Sequence, residues 1–274
     1  MDNMEIKKLV DIVLPVHTTK QKDFDELFKT AIESIRKQTE YINNVIVVHS
    51  KDETLVKFLN EFNFDLDTNI KLVENDGKTD FQSQINLGVK NSESEYFSIL
   101  EFDDEYSSIW FKNVYEHIKA YPKEDGFLPI VTDTNAKGKV VGFTNEATFA
   151  TNLNADLGFL TEEMLLEYQN FQTSGMVLKV SSFNSVGGFK SNLKLVFVYE
   201  FLLRLCKFNK KIRTIPKLGY KHTNLRTDSL FWSYKEGANK ITPNEVAFWL
   251  EKAKTVYVNK EDDEIKYEPT NVDA

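Results

Sequence analysis

The sequence is poor in cysteine, proline and glycine, and it lacks any long apolar run. Its 274 residues include 1 cysteine, 6 prolines and 11 glycines. A single thiol cannot form an internal disulfide, so we expect a fold that does not depend on oxidation. No stretch approaches the ~20 apolar residues that span a bilayer, and the polar N-terminus does not resemble a signal peptide. These absences predict a cytoplasmic protein without a transmembrane segment.

Positive charge is also scarce, since the formal net charge is -8 at pH 7. An acidic chain repels polyanions on average, which argues against a protein that coats nucleic acid. Hydrophobic residues make up 41% of the chain and charged residues 28%, as expected for a globular protein with a sizeable core. The length suits one large domain or two small ones.

Short β-branched runs alternate with amphipathic stretches in the first half of the chain. The predicted strands cover residues 10–16, 45–48, 70–73 and 96–102, and the predicted helices cover residues 24–38, 53–62, 80–89 and 109–120. This alternation predicts an α/β fold with a mostly parallel central sheet and helices on both faces. Such sheets bind ligands at the carboxyl ends of their strands, so functional residues should follow Val16, Val48, Val73 and Phe102.

The second half of the chain has a less regular pattern. Its predicted helices cover residues 161–168, 198–207 and 242–258, and its predicted strands cover residues 175–180 and 212–215. The final residues, 261–274, are acidic, and we expect them to fray.

Four acids lie at the end of the fourth predicted strand or directly after it: Glu101, Asp103, Asp104 and Glu105. Neighbouring carboxylates repel one another unless a cation or a solvated turn relieves them. Hard divalent cations such as Mg²⁺ and Mn²⁺ prefer such oxygen ligands and often share them with substrate phosphates. The alternative is an acidic turn that caps the following helix, and the four acids alone leave both interpretations open.

The order of motifs along about 210 residues resembles that of the family 2 glycosyltransferases of the GT-A fold. The matching segments include the opening strand 11–17, the helix 27–39 with its Ser-Ile-x-x-Gln-Thr ending, and the second strand 45–48. The stretch 75–88 is similar to the family's Asn-x-Gly segment, and 95–105 to its metal-binding Asp-x-Asp-Asp strand. Later segments, 174–189 and 199–205, resemble a second block and its helix.

The resemblance implies a GT-A-like domain over residues 1–225, followed by a C-terminal helical extension with an acidic tail over residues 226–274. Its donor would be a nucleotide sugar, most simply a UDP-sugar, and its acceptor an unidentified hydroxyl on a glycan, lipid-linked sugar, protein or modified DNA. The donor-binding residues implied by position are Pro15, Val16, His17, Asp52, Gly77, Lys78, Asn86, Glu101, Phe102, Asp103 and Arg226.

The implied cofactor is Mn²⁺ or Mg²⁺, which would bridge the donor diphosphate to Glu101 and Asp103. Asp103 is the favoured ligand, because Glu101 stands where the family has aspartate and its extra methylene moves the oxygens outward. His222 lies where the family often closes the diphosphate site, and we include it among the predicted metal ligands.

The family's catalytic base has no counterpart at the matching positions, which hold Phe197 and Val198. Glu200 is the nearest acid and is the predicted catalytic residue, although an acid at a helix start is equally ordinary. The alternatives are an acid from residues 144–172, with Asp156, Glu162 and Glu163 as candidates, or no base at all.

Three functional hypotheses follow. The first is a metal-dependent, inverting glycosyltransferase. The second is a catalytically silent nucleotide-sugar-binding or scaffold protein of the same fold, which the missing base favours. The third, a nucleotidyltransferase, lacks support because residues 16–22 contain no glycine-rich loop after the first strand.

Overall fold

The computed structural model describes residues 8–20, 23–223 and 240–269, which form alternating strands and helices around one sheet. The strands are β1 (Val10–Val16), β2 (Ile42–His49), β3 (Asn69–Glu74), β4 (Tyr96–Ile99), β5 (Glu105–Tyr106), β6 (Gly126–Thr134), β7 (Val140–Thr144), β8 (Val177–Lys179) and β9 (Ile212–Thr223). The helices are α1 (Phe24–Arg36), α2 (Glu53–Glu61), α3 (Phe81–Lys90), α4 (Trp110–Ala120), α5 (Glu162–Glu167), α6 (Val180–Ser185), α7 (Phe197–Lys207) and α8 (Pro243–Val256).

The sheet has the strand order β3-β2-β1-β4-β8-β6-β9-β5, with β7 paired to β6. The first four strands are parallel, as predicted, but β8 runs antiparallel to both β4 and β6. The α/β fold is therefore confirmed, whereas the sheet is mixed rather than mostly parallel. The reason is that β7 returns as a hairpin and β8 enters between two strands of the opposite direction.

This topology brings six strand ends to one edge of the sheet. Because β8 is antiparallel to β4 and to β6, the strands β4 and β6 point the same way, and β9 is parallel to β6. The carboxyl ends of β1, β2, β3, β4, β6 and β9 therefore share an edge, and the residues that precede β8 lie there too. Ligands bind open α/β sheets at this edge.

Strand β1 is buried on both faces, so its alternate side chains enter different cores. Ile12 and Leu14 pack with α1, α2 and α4, whereas Val13 packs with α3 and α7. Gly88 lets α3 approach β1 closely, because an added Cβ would lie 2.3 Å from a methyl of Val13. Helices therefore cover both faces of the sheet, as the sequence predicts.

The buried carboxylate of Asp11 fixes the loop that leads into β4. It accepts hydrogen bonds from the backbone and side-chain nitrogens of Asn44, from the hydroxyl of Ser92, from the backbone nitrogen of Glu93, and from both the backbone nitrogen and hydroxyl of Ser94. Burial alone would raise the pKa of Asp11, but these hydrogen bonds outweigh it and lower the pKa. The start of β4, and hence the segment that follows it, is thus held in register.

Several element boundaries differ from the predictions, among them the end of β4 at Ile99 instead of residue 102 and the bounds of β8 and β9. Strand β9 runs on through Pro216 to Thr223, because its partner β6 continues beside it to Thr134. The predicted strand 175–180 is shortened to β8, since a helix begins at Val180.

The described C-terminal residues belong to the main core. Trp249 and Ala253 of α8 are buried in the cluster that includes α7. Beyond α8, the carboxylate of Asp262 accepts hydrogen bonds from the backbone nitrogens of Ser191 and Asn192. The tail is therefore not frayed at Asp262, contrary to expectation, while the predicted domain boundary after residue 225 lies outside the described residues and stays a prediction.

Candidate active site

The segment that follows β4 meets β8 and β9 at the carboxyl edge of the sheet. The carboxylate of Glu101 accepts a hydrogen bond of 3.1 Å from the hydroxyl of Ser174, which precedes β8. The backbone N–H of Glu101 donates to the phenol oxygen of Tyr220 on β9, also at 3.1 Å. Both ends of Glu101 are thus positioned by elements from the second half of the chain.

Asp104 and His222 form a buried ion pair beside Glu101. The side chain of Asp104 is fully buried, and its Oδ2 lies 3.0 Å from Nδ1 of His222. Its other oxygen accepts a 2.8 Å hydrogen bond from the backbone N–H of Thr223. His222 is placed by the extension of β9, which the sequence patterns did not predict.

The pKa values of this site are strongly perturbed. Burial, together with the charges of Asp104 and Asp103, raises the pKa of Glu101 to about 8, against the opposing charge of His222. Burial alone would lower the pKa of His222, but the charges of Asp104, Glu101 and Asp133 raise it to about 10. At neutral pH the site therefore holds a protonated Glu101 and an imidazolium.

Glu101, Asp104 and His222 form what we call the carboxylate–histidine cluster. One ligand atom from each of the three lies within 4.8 Å of the other two. Two carboxylates and an imidazole suit Mn²⁺, and a divalent cation would relieve the repulsion that raises the pKa of Glu101. The residues present therefore fit a metal ion.

The cluster differs from the predicted ligand set in one residue. Asp104 joins Glu101 and His222, whereas Asp103 lies outside the group of three. The backbone N–H of Asp104 donates to the carbonyl of Glu101, a turn that carries Asp104 back toward the strand end. The acidic sequence 101–105 gave no signal of this turn, and a metal role for Asp103 stays a prediction.

Gly175 and two aromatic side chains position the backbone around the cluster. Gly175 has φ +72, and an added Cβ there would lie 2.6 Å from the ring of Tyr220. The carbonyl of Gly175 accepts a hydrogen bond from the indole of Trp110 at 2.9 Å, and its N–H donates to Ile99. Glycine is thus required for the backbone to pass flat against Tyr220, which in turn binds Glu101.

The predicted donor residues at the ends of the first two strands lie at the same edge. Pro15 and Val16 are buried at the end of β1, and His17 is exposed just beyond them. The carbonyl of His17 accepts a hydrogen bond from Ser50, which ties the ends of β1 and β2 together. Asp52 caps α2 through a 3.0 Å hydrogen bond from the N–H of Leu55.

The loop after β3 has a turn conformation. Gly77 has φ +98, and its N–H donates to the side-chain oxygen of Asn75. The amide nitrogen of Asn75 is buried and has no hydrogen-bond partner among the described residues. Gly77 and Lys78 are exposed at this loop, and their predicted contacts with the donor stay predictions.

Two predicted donor residues have structural contacts instead. The amide of Asn86 exchanges hydrogen bonds with the backbone of Phe189, at 2.8 and 2.9 Å, and so joins α3 to the loop before α7. The ring of Phe102 is buried against Phe24, with centroids 5.2 Å apart. Both side chains are engaged in these structural contacts, which argue against direct binding of the donor by either of them. Arg226 lies outside the described residues.

The contacts of Glu200 argue against its predicted role as the catalytic base. Glu200 is 0% exposed, and its two oxygens pair with the guanidinium of Arg204 at 2.9 Å each. The ammonium of Lys190 lies 3.4 Å away and also binds the carbonyl of Val256. Glu200 is the anion of a buried charge network that joins α7 to the end of α8 and to Asn259, and its side chain is not exposed to solvent.

One of the alternative bases has a structural contact instead. Glu162 accepts a hydrogen bond of 2.6 Å from the phenol of Tyr257, on the side of the C-terminal segment. Asp156 and Glu163 are exposed, and their role as the base stays a prediction. Sequence reasoning did not select Ser174, Asp104 or Asp133. Ser174 reaches Glu101 through the antiparallel entry of β8, Asp104 through the turn after Glu101, and Asp133 lies beside His222 through the length of β9.

The mixed sheet and the carboxylate–histidine cluster at its edge are the features of a GT-A glycosyltransferase fold. The sequence profile described as Glycosyl transferase family 2 matches residues 11–189, and the chain belongs to this family. No curated protein matches the chain in sequence.

Solved structures of the S. aureus protein TarS have the same fold. TarS 1–349 in complex with UDP-GlcNAc has a TM-score of 0.63 and 15% identity, covering 89% of this chain and 65% of that chain. The complex with UDP has a TM-score of 0.58 and 15% identity, covering 88% and 78%. TarS 1–349 itself has a TM-score of 0.56 and 17% identity, covering 78% and 60%.

The present chain thus spans less than two thirds of two of these TarS structures. In the ranges 8–20, 23–223 and 240–269, no helix combines the length and apolar composition needed to cross a membrane.

Proposed function

We propose that the chain transfers a sugar from a UDP-sugar to an acceptor hydroxyl, with a divalent cation and with inversion at the anomeric carbon. The observation that supports this most directly is the carboxylate–histidine cluster, at the sheet edge where a family 2 domain would bind its donor. The bound UDP and UDP-GlcNAc of the TarS structures support a uridine nucleotide as the donor's leaving group.

Glu101, Asp104 and His222 would hold the metal ion, which is Mn²⁺ or Mg²⁺ in this proposal. When bound, the ion supplies Lewis-acid neutralisation of the charge that develops on the departing diphosphate. Ser174 and Tyr220 keep Glu101 in place, and Thr223 does the same for Asp104. The side chains that would bind the ion are therefore held in position before the donor enters.

The ends of β1 and β2 would receive the nucleoside. At this edge, the buried amide nitrogen of Asn75 is a hydrogen-bond donor without a partner among the described residues. Asp52 lies just after the end of β2 in sequence, at the start of α2. Direct displacement forms the bond from acceptor oxygen to anomeric carbon as the bond to the diphosphate breaks. Inversion therefore needs a proton acceptor on the face of the sugar opposite the diphosphate.

A second candidate function is nucleotide-sugar binding without turnover. Two observations favour it: the positions of the family's base hold Phe197 and Val198, and Glu200 is enclosed by Arg204 and Lys190. Both candidates predict nucleotide binding, and only the first predicts turnover. A modified-DNA acceptor and a cytoplasmic location stay predictions.

The test is calorimetric titration with UDP, GDP, ADP and CDP, each with and without Mn²⁺. We expect Mn²⁺-dependent binding of UDP that weakens by at least ~10-fold in Asp104→Asn, which removes a ligand. The matched control is Glu105→Gln, since Glu105 pairs with Lys221 outside the cluster. Absence of metal-dependent binding of any nucleotide would refute both candidates, and UDP release from a UDP-sugar would separate them.

A further inference from the structure

Asp133 lies at the carboxyl edge of the sheet, beside the carboxylate–histidine cluster. It stands near the end of β6 and is paired in register with His222 of β9. Paired residues of neighbouring strands project to the same face of a sheet, so Asp133 and His222 face the same side. Asp133 is 9% exposed, which makes it a largely buried acid with a small opening to solvent.

The carboxylate of Asp133 is held by neutral hydrogen-bond donors. The hydroxyl of Thr144 donates to Oδ2 at 2.6 Å, and the amide of Gln172 donates to Oδ1 at 3.3 Å. Each carboxylate oxygen has two lone pairs, so both oxygens keep one acceptor site. Among the described residues, no cation forms a salt bridge with Asp133 within 4.0 Å, in contrast to Glu200, which Arg204 and Lys190 neutralise.

One short segment connects Asp133 to the cluster. Gln172 holds Asp133, and Ser174, two residues later, holds Glu101. Asp133 therefore lies beside His222, on the half of the edge formed by β6 and β9, whereas Glu101 and the predicted nucleoside site lie on the half formed by β1–β4.

We propose that Asp133 is the general base of this chain and takes the role that Phe197 and Val198 cannot fill. The inference rests on the proposed function. In this step, the acceptor hydroxyl gives its proton to a carboxylate oxygen of Asp133 while the acceptor oxygen forms a bond to the anomeric carbon. The bond from that carbon to the diphosphate oxygen breaks, and the diphosphate leaves with the electron pair.

The experiment compares wild type with Asp133→Asn, which keeps the shape of the side chain and removes the proton acceptor. Water serves as the acceptor, and the measured quantity is UDP release from UDP-GlcNAc, UDP-GalNAc, UDP-glucose and UDP-galactose with Mn²⁺. We expect the variant to bind UDP with Mn²⁺ within ~3-fold of wild type and to lose ~100-fold or more in turnover, the contribution of a positioned base. Glu146→Gln, an exposed acid two residues after Thr144, is the control and should keep wild-type turnover.

A purely structural role for Asp133 would give a different pattern. Thr144→Val removes the 2.6 Å hydrogen bond but keeps the carboxylate of Asp133. If Asp133 is the base, turnover should fall by less than ~10-fold in this variant, well below the ~100-fold loss expected for Asp133→Asn. An equal loss in both variants would overturn the proposal, and so would turnover by Asp133→Asn close to that of wild type. If Asp133→Asn fails to fold, Asp133→Ser, which also removes the proton acceptor, replaces it in the same comparison with Thr144→Val.

The outcomes separate this inference from the proposed function. Wild type that binds UDP with Mn²⁺ but releases UDP from no donor would overturn the inference and leave the binding function standing. Wild type that binds no nucleotide would refute the proposed function itself, and the inference with it.

Discussion

Metal binding at the carboxylate–histidine cluster should release protons, and their number reports which residues become ligands. Metal ligands must be deprotonated, so affinity rises with pH below their pKa values. Glu101 has its pKa raised to about 8 and His222 to about 10, so both carry a proton at neutral pH. A metal ion that takes both as ligands displaces two protons. An ion bound by the carboxylates alone leaves the imidazolium paired with Asp104 and displaces one.

The magnitude follows from these two pKa values. Between pH 6.5 and 7.5 the ionised fraction of a group with pKa 8 rises roughly 8-fold, and the neutral fraction of a group with pKa 10 rises roughly 10-fold. The Kd for Mn²⁺ should therefore fall roughly 80-fold over this range if His222 is a ligand. It should fall only roughly 8-fold if Glu101 is the sole group to titrate.

The assay is titration with Mn²⁺ at several pH values, with calorimetry in buffers of different ionisation enthalpy to count protons. His222→Gln is the matched variant, and its Kd should fall by no more than about 10-fold over the same range, because one titrating group remains and loss of the imidazolium raises the pKa of Glu101 further. An affinity for Mn²⁺ that does not change between pH 6.5 and 7.5 would refute the assignment of Glu101 as a ligand with a raised pKa.

Three further perturbations test the frame of the site. Asp11→Asn should lower the free energy of unfolding by about 2–4 kcal/mol at pH 7, because its buried carboxylate accepts several hydrogen bonds. The folded-state pKa of Asp11 is lowered, so this stability is present above about pH 4 and is lost as pH falls. In urea unfolding, the difference in free energy between wild type and Asp11→Asn should therefore be smaller at pH 3 than at pH 7. Gly175→Ala should lower the free energy of unfolding by about 1–3 kcal/mol and weaken UDP binding, because its Cβ would meet the ring of Tyr220. Gly138→Ala is the control for backbone strain alone, since Gly138 has the same φ of +72 and an added Cβ there would have no atom within 4 Å. Glu200→Gln should cost about 3–5 kcal/mol in urea unfolding, since it leaves buried cations unpaired; unchanged stability would contradict the buried network.

Local patterns predicted the donor half of the fold well. The strand 10–16 and the helix starts near residues 24, 53, 81 and 110 were expected from apolar spacing, and the structure has them there. The position of Glu101 at the end of a buried strand followed from the same patterns, although β4 already ends at Ile99. Such elements depend on neighbours close in sequence, which is why periodicity is enough to find them.

The site's composition needed contacts between residues far apart in sequence. Ser174 reaches Glu101 because β8 runs antiparallel to β4, and His222 reaches Asp104 because β9 continues past Pro216. Neither the direction of a short strand nor its extension beside a partner is encoded in a local pattern.

The sequence by itself determined the α/β class, the family resemblance and the edge of the sheet at which a donor would bind. The tertiary structure decided which acids act together. It placed Asp104 with Glu101 and His222, enclosed Glu200 between Arg204 and Lys190, and put Asp133 beside His222. The physical reason is that the environment of a carboxylate, which sets its charge and its partners, comes from distant segments that pack around it.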